Sequence, residues 1–126
     1  MVNGCREFLI LGGMGGRLDH TVANLQTLAF AQSCGVEAVL ADGNNEASIL
    51  GPGMHTSSRR PGWKLSLFSY TSHCSGVTIS GVKYPLVGAT LTNTFPLGVS
   101  NEFVDEAVLI EHTEGLLLLI ESREKQ

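Results

Sequence analysis

A chain of 126 residues with 43% hydrophobic content holds enough apolar material for one ordinary folded core and too little charge for a disordered segment. Its formal net charge of −4 leaves no basic stripe to drive counterion release, and Arg59-Arg60 is only a pair, which argues against nucleic acid or an anionic membrane as the main partner. The longest apolar run, residues 116–120, is too short to cross a bilayer and no signal peptide is visible, so the expected location is cytoplasmic.

The first element predicted is a strand over residues 6–11, followed by Gly-Gly-Met-Gly-Gly-Arg at 12–17 and a helix over about 20–34. Four glycines in five positions let the backbone approach a ligand closely, and the helix behind them directs unpaired N–H groups and the positive end of its dipole at whatever sits there. Gly15, Gly16 and Arg17 therefore form a candidate phosphate-binding loop, in which Arg17 supplies a planar, permanently charged donor. Asp19 can cap the helix or hold a magnesium ion. Val22, Leu25, Leu28, Ala29 and Gln32 mark the helix faces and set one side against a sheet, while His20 and Asn24 share the other flank. A tight strand-to-helix connection would use the same glycines, and Arg17 tips the balance towards phosphate. A dinucleotide fingerprint fits poorly, because its third glycine falls at Leu18 and the acid Asp42 comes too late.

A strand over 36–41 completes a βαβ unit, which cannot bury both faces of its sheet without further layers. After the turn cluster at 42–45 the pattern becomes all-β, with strands expected at 47–50, 54–57, 64–69, 76–80, 86–92, 102 or 103 to 104, 106–112 and 115–121. Spacing of about ten residues indicates a sandwich or partly closed barrel. The expected fold is thus α+β: a βαβ remnant over 1–45, then a β-sandwich over 46–126. Residues 116–120 read as a central strand or a dimer seam.

Cys5, Cys34 and Cys74 are an odd number at wide spacing, and are read as reduced thiols. His55, His73 and His112 each stand alone on an expected strand or turn, so no metal site is assigned to this chain. Gly98-Val99-Ser100-Asn101-Glu102 opens like a nucleophile elbow but lacks its closing glycine and the helix behind it, so Ser100 is no nucleophile. Trp63 and Phe103 are read as core filling in preference to a ring-stacking platform.

Three separated segments carry a resemblance: Gly-Gly-Arg-Leu-Asp-His-Thr-Val-Ala-Asn at 15–24, Gly-Val-Lys-Tyr-Pro-Leu at 81–86 and Gly-Val-Ser-Asn-Glu-Phe at 98–103. Together, in this order and spacing, they resemble the later part of the bacterial thiamine pyrophosphokinases. The resemblance implies an α/β catalytic domain whose end is residues 1–45, followed by a thiamine-binding sandwich, working as a homodimer with the site between subunits. It implies transfer of pyrophosphate from ATP to the thiamine hydroxyl, giving thiamine diphosphate and AMP, with Mg2+ neutralising the phosphates. Arg17 and Asp19 would then be catalytic, with Gly15, Gly16 and Arg17 on the phosphates. Asn24, Ser100 and Asn101 would bind substrate, the last two against the pyrimidine ring.

The family's Gly-Asp-x-Asp-Ser and Lys-Asp-x-Thr-Asp segments, which hold magnesium and ATP, do not occur in this sequence. Asp19 and Asp42 are too few oxygen ligands for a magnesium–ATP site. The chain is therefore expected to be a C-terminal portion, inactive alone; the alternative is a stand-alone, non-catalytic, thiamine-binding and dimerising module.

Overall fold

The structure, a computed structural model, describes residues 8–11 and 18–124, for 8–11 the backbone alone. In chain order its elements are β1 (Phe8–Leu11), α1 (Leu18–Ser33), β2 (Glu37–Ala41), β3 (Asn45–Leu50), β4 (Gly53–Ser58), β5 (Lys64–Ser69), β6 (His73–Ser80), β7 (Leu86–Thr92), β8 (Gly98–Glu102), β9 (Ala107–His112) and β10 (Leu117–Ser122). They build a six-stranded sheet in the order β1-β2-β3-β10-β5-β8 and a four-stranded sheet in the order β4-β9-β6-β7. Among the described residues no helix is long and apolar enough to cross a membrane.

β1 and β2 run parallel with α1 between them, and β2 turns back antiparallel to β3. That turn is an Asx turn, in which Asp42 Oδ1 accepts from the backbone N–H groups of Asn44 and Asn45, each at 2.8 Å. The helix starts two residues before the expected position, so Asp19 lies inside the first turn, where its Oδ1 accepts from His20 N at 2.9 Å. It stops at Gly35, φ 77°: Val36 N bonds to Ala31 O and Gly35 N to Gln32 O, the paired bonds of a Schellman end. Leu28 and Ala31 are buried and Leu25 and Ala29 pack beside them, but Val22, expected on the same face, is 48% exposed.

Two apolar layers result. Between the sheets, Leu65, Leu67 and Leu117 of the larger sheet meet Val77, Ile79, Leu91, Val108 and Ile110 of the smaller. On the outer face of the six-stranded sheet, Leu40, Ala47, Ile49 and Leu118 pack against Leu28 and Ala31 of α1.

The strand expected at 102 or 103 to 104 is a correction: the paired segment is Gly98–Glu102, and Phe103 makes only an isolated bridge to Val82. Gly98 allows the close approach, since a Cβ there would sit 3.0 Å from Leu67 O, while Val104 N and Asp105 N turn away to bond Gly81 O. β6 begins three residues before the expected start because Gly76, φ 65°, is a bulge within the strand and does not begin it.

At the turn between β4 and β5, the Trp63 ring lies under the guanidinium of Arg60 at 4.1 Å and of Arg123 at 5.2 Å. Arg60 also pairs with Glu46 and, at 3.6 Å, with Glu121. Burial pushes the Glu121 carboxyl above the usual carboxylate range, against the pull of Arg60.

His112 is buried between the sheets at the end of β9, its ring stacked 6.5 Å from that of His55. Nε2 donates to Gly115 O at 2.8 Å, so Nδ1 of the neutral ring is left without a hydrogen-bond partner. Burial lowers its pKa below the ordinary 6.5, opposed by the Gly115 bond and reinforced by His55. The unfolded chain therefore binds more protons, so this contribution to stability is complete above pH 6.5 and is lost as pH falls from there towards the lowered folded-state value. Urea midpoints at about pH 7.5 and about pH 5.5 are expected to differ more in the native chain than in His112→Gln, which keeps a donor for Gly115 without the titration. Equal differences in the two proteins would assign the acid sensitivity elsewhere.

Candidate functional site

The two sheets do not close at the side where β7 and β8 are their edge strands. Between these edges lies a cleft of about 230 Å³, with Leu67, Ile79 and Leu86 among its lining, Tyr84 and Pro85 contributed by the turn before β7, and Leu97, Gly98 and Val99 by the start of β8. Around its mouth the surface is unusually apolar: Val87 is 86% exposed and Phe95 65%, with Tyr84, Leu97 and Val99 also open to solvent. Such a patch beside a concave site marks a surface that a ligand or partner covers.

A β-bulge shapes one side of the cleft. β5 and β8 pair Leu65 with Asn101 and Leu67 with Gly98, so Val99 and Ser100 together face Ser66. Ser100 has φ 60°, the one positive value among the described non-glycine residues, and its N–H donates to the buried Ser66 hydroxyl at 2.9 Å. The bulge breaks the alternation of the strand, leaving Val99 and Ser100 exposed and Asn101 buried.

The segments 81–86 and 98–103, well apart in sequence, meet here. Lys83 N bonds to Glu102 O at 3.0 Å, and the side chain of Asn101 engages the backbone of Tyr84 on both sides: Oδ1 accepts from Tyr84 N at 2.9 Å and Nδ2 donates to Tyr84 O at 2.8 Å. Gly81 is obligatory at the start of this turn, with φ 84° and the carbonyl of Ala107 2.4 Å from where a Cβ would lie. On the outside, Glu102 lies 3.2 Å from Lys64 Nζ and 3.7 Å from Lys83 Nζ. The Lys64 hydrogen bond, then the two ammonium charges, hold the Glu102 carboxyl below the usual range, and the Glu102 charge raises Lys83.

Of the residues singled out in the sequence, Asn101 lines the cleft, and Ser100 lies between it and Val99, which also lines it. Gly15, Gly16 and Arg17 lie outside the described residues. Asp19 is exposed in the first turn of α1 and Asn24 is half-buried further along it. Because α1 packs on β2 and β3, two strands, β10 and β5, and three inter-strand spacings separate β3 under that helix from β8 at the far edge of the same sheet. At the usual strand spacing this is about 14 Å. One copy of the chain does not bring Asp19 and Asn24 to Ser100 and Asn101. Tyr84, Pro85, Leu97, Val99 and Ser66 were not singled out from the sequence for this site; the pairing of a glycine with a proline at 81–85 was the available signal.

Among the described residues no three His, Cys, Asp or Glu side chains cluster where they could hold a metal ion. The described part of the chain therefore does not fit a magnesium site.

Residues 54–117 match the family model described as thiamin pyrophosphokinase, vitamin B1 binding domain. The thiamine pyrophosphokinase of Bacillus subtilis (strain 168) is 27% identical over 114 residues, which is 90% of this chain and 53% of that protein. A crystal structure of thiamine pyrophosphokinase from Bacillus subtilis superposes with a TM-score of 0.90 at 25% identity, covering 94% of this chain and 57% of that one. The thiamin pyrophosphokinase structure from Geobacillus thermodenitrificans gives a TM-score of 0.83 at 26% identity, covering 94% and 55%. The thiamin pyrophosphokinase from Candida albicans, at 18% identity, shares the fold with a TM-score of 0.80, covering 96% of this chain and 46% of that one. The chain thus spans about half the length of the curated relative it matches.

Because the Ser66 hydroxyl is the recorded partner of the Ser100 amide, Ser66→Ala is expected to cost about 1–3 kcal/mol of stability in urea denaturation and to speed amide exchange at Ser100. Exchange at Ser100 as slow as in the native chain would remove the hydroxyl as the anchor of the bulge.

Proposed function

The chain belongs to the thiamin pyrophosphokinase family, of which it carries the vitamin B1 binding domain, and we propose that the cleft between β7 and β8 receives the aminopyrimidine ring of thiamine. The observation that carries this reading is the meeting of the 81–86 and 98–103 segments around one small apolar cleft with a strained serine at its edge. A flat heteroaromatic ring gains from the apolar walls, and the exposed Ser100 hydroxyl can donate to or accept from its ring nitrogens and amino group. Asn101 stands beside it, its amide already bonded to Tyr84.

In a protein that also carries the half its relatives possess in addition, the reaction proposed is pyrophosphoryl transfer from ATP to the thiamine hydroxyl. The α/β part ending near residue 45 supplies Gly15, Gly16 and Arg17 for the phosphates, Asp19 for the reacting hydroxyl or the metal, and Asn24 in support of that loop. Mg2+ is assigned to acids outside the described residues. The separation of α1 from β8 within one chain favours a homodimer, in which a second copy brings its helix and loop to this cleft and covers the apolar surface around Val87 and Phe95. A cytoplasmic setting suits an enzyme that uses ATP. The second reading is a thiamine-binding and dimerising module without catalysis.

Calorimetric titration of thiamine into the purified chain is expected to show saturable binding, and Val99→Asp, which puts a charge on the cleft wall, to weaken it about tenfold or more, or about 1.4 kcal/mol. Unchanged affinity in that variant would place thiamine elsewhere. In the longer protein, Arg17→Ala and Asp19→Ala are each expected to abolish turnover while leaving thiamine affinity nearly intact; normal turnover in either removes that residue from the reaction.

A further inference from the structure

We infer that Asn101 is a positioning residue: its side-chain amide fixes the 83–86 turn as a wall of the cleft, and acts on a bound ring through that wall. The ligand part of this inference rests on the cleft being the thiamine site; the mechanical part does not.

Asn101 is buried, and its Oδ1 accepts both from Tyr84 N at 2.9 Å and from Glu102 N at 3.1 Å, while Nδ2 donates to Tyr84 O at 2.8 Å. The two bonds to Tyr84 reproduce what a neighbouring strand would give a residue, with a side-chain amide in place of a peptide. Tyr84 needs such a substitute, because the turn leaves β8 after the bond from Lys83 N to Glu102 O and joins β7 only at Leu86. Pro85, next in sequence, brings no N–H to the turn. Tyr84 and Pro85 of the turn and Leu97, Val99 and Asn101 at β8 all line the cleft. One amide thereby couples both sides of the cleft, so its width follows the β8 bulge and not the flexibility of the turn. Without it the N–H and C=O of Tyr84 lose these partners, and the wall is free to swing towards solvent.

The test compares Asn101→Ala and Asn101→Asp with Leu28→Ala, a core substitution on α1 away from the cleft, in the purified chain. Two quantities are read: hydrogen exchange of the Tyr84 amide and thiamine affinity. Asn101→Ala is expected to speed exchange at Tyr84 and to weaken thiamine binding, each about tenfold or more. Asn101→Asp keeps an acceptor for Tyr84 N–H but not a donor for its carbonyl, so it restores slow exchange in part and serves if the alanine variant does not fold. Leu28→Ala is expected to leave both quantities unchanged at a comparable loss of global stability. Native-like exchange at Tyr84 in both Asn101 variants overturns the inference, as does unchanged thiamine affinity once Tyr84 has been released. If the native chain takes no thiamine, the functional reading falls, and the clamp is then decided by Tyr84 exchange alone.

Discussion

β10 is paired along both edges, with β3 on one side and β5 on the other, and apolar on both faces. Leu117 and Leu119 point into the layer between the sheets, Leu118 and Ile120 into the layer under α1. A strand in that position cannot shift register by one residue without reversing which side chains enter which layer, and it is the one connection between the parallel β1-β2 end of the large sheet and the β5-β8 end. The unbroken apolar run at 116–120 is the sequence of a strand covered on both sides. The position of the cleft follows: β8 is an edge strand beside β5, and β5 is held by β10.

At the cleft the chain departs from regular sheet geometry twice, and each departure is held by a buried polar side chain. The Ser66 hydroxyl takes over a ladder bond that the bulge removes, and the Asn101 amide takes over those that the turn removes. These substitutions let a small open site exist at the edge of a packed sandwich without leaving those backbone groups unpaired. The apolar side chains around it, Val87 and Phe95 above all, are too exposed for a surface that meets only water.

Much of the strand pattern was legible from alternation and turn residues: β5 and β7 lie where the sequence places them, and the bounds of β2, β4 and β9 differ by only a residue or two. β8 was not, because glycine and serine carry no strand signal and the pairing depends on Leu67 accepting a residue without a side chain. Gly76 was read as the start of β6 when it is a bulge inside it, since a lone glycine in a strand supports either reading. Ser100 and Asn101 were found through a motif, but the bond between Asn101 and Tyr84, 17 residues apart, leaves no periodic trace. Helical spacing marked Val22 as facing the sheet together with Leu28, yet Val22 sits too near the start of α1 to be covered.

The order of pairing in the large sheet also governs how the chain can fold as it is made. β10 is synthesised after β3, β5 and β8, yet it occupies the gap between β3 and β5. While residues 117–122 are still being added, the two halves of the sheet have no strand to join them, and the edges of β3 and β5 that pair with β10 are open. Assembly of this sheet is therefore deferred until translation has passed residue 122, and a nascent chain stalled before that point carries two unpaired inner strand edges of the kind that chaperones hold.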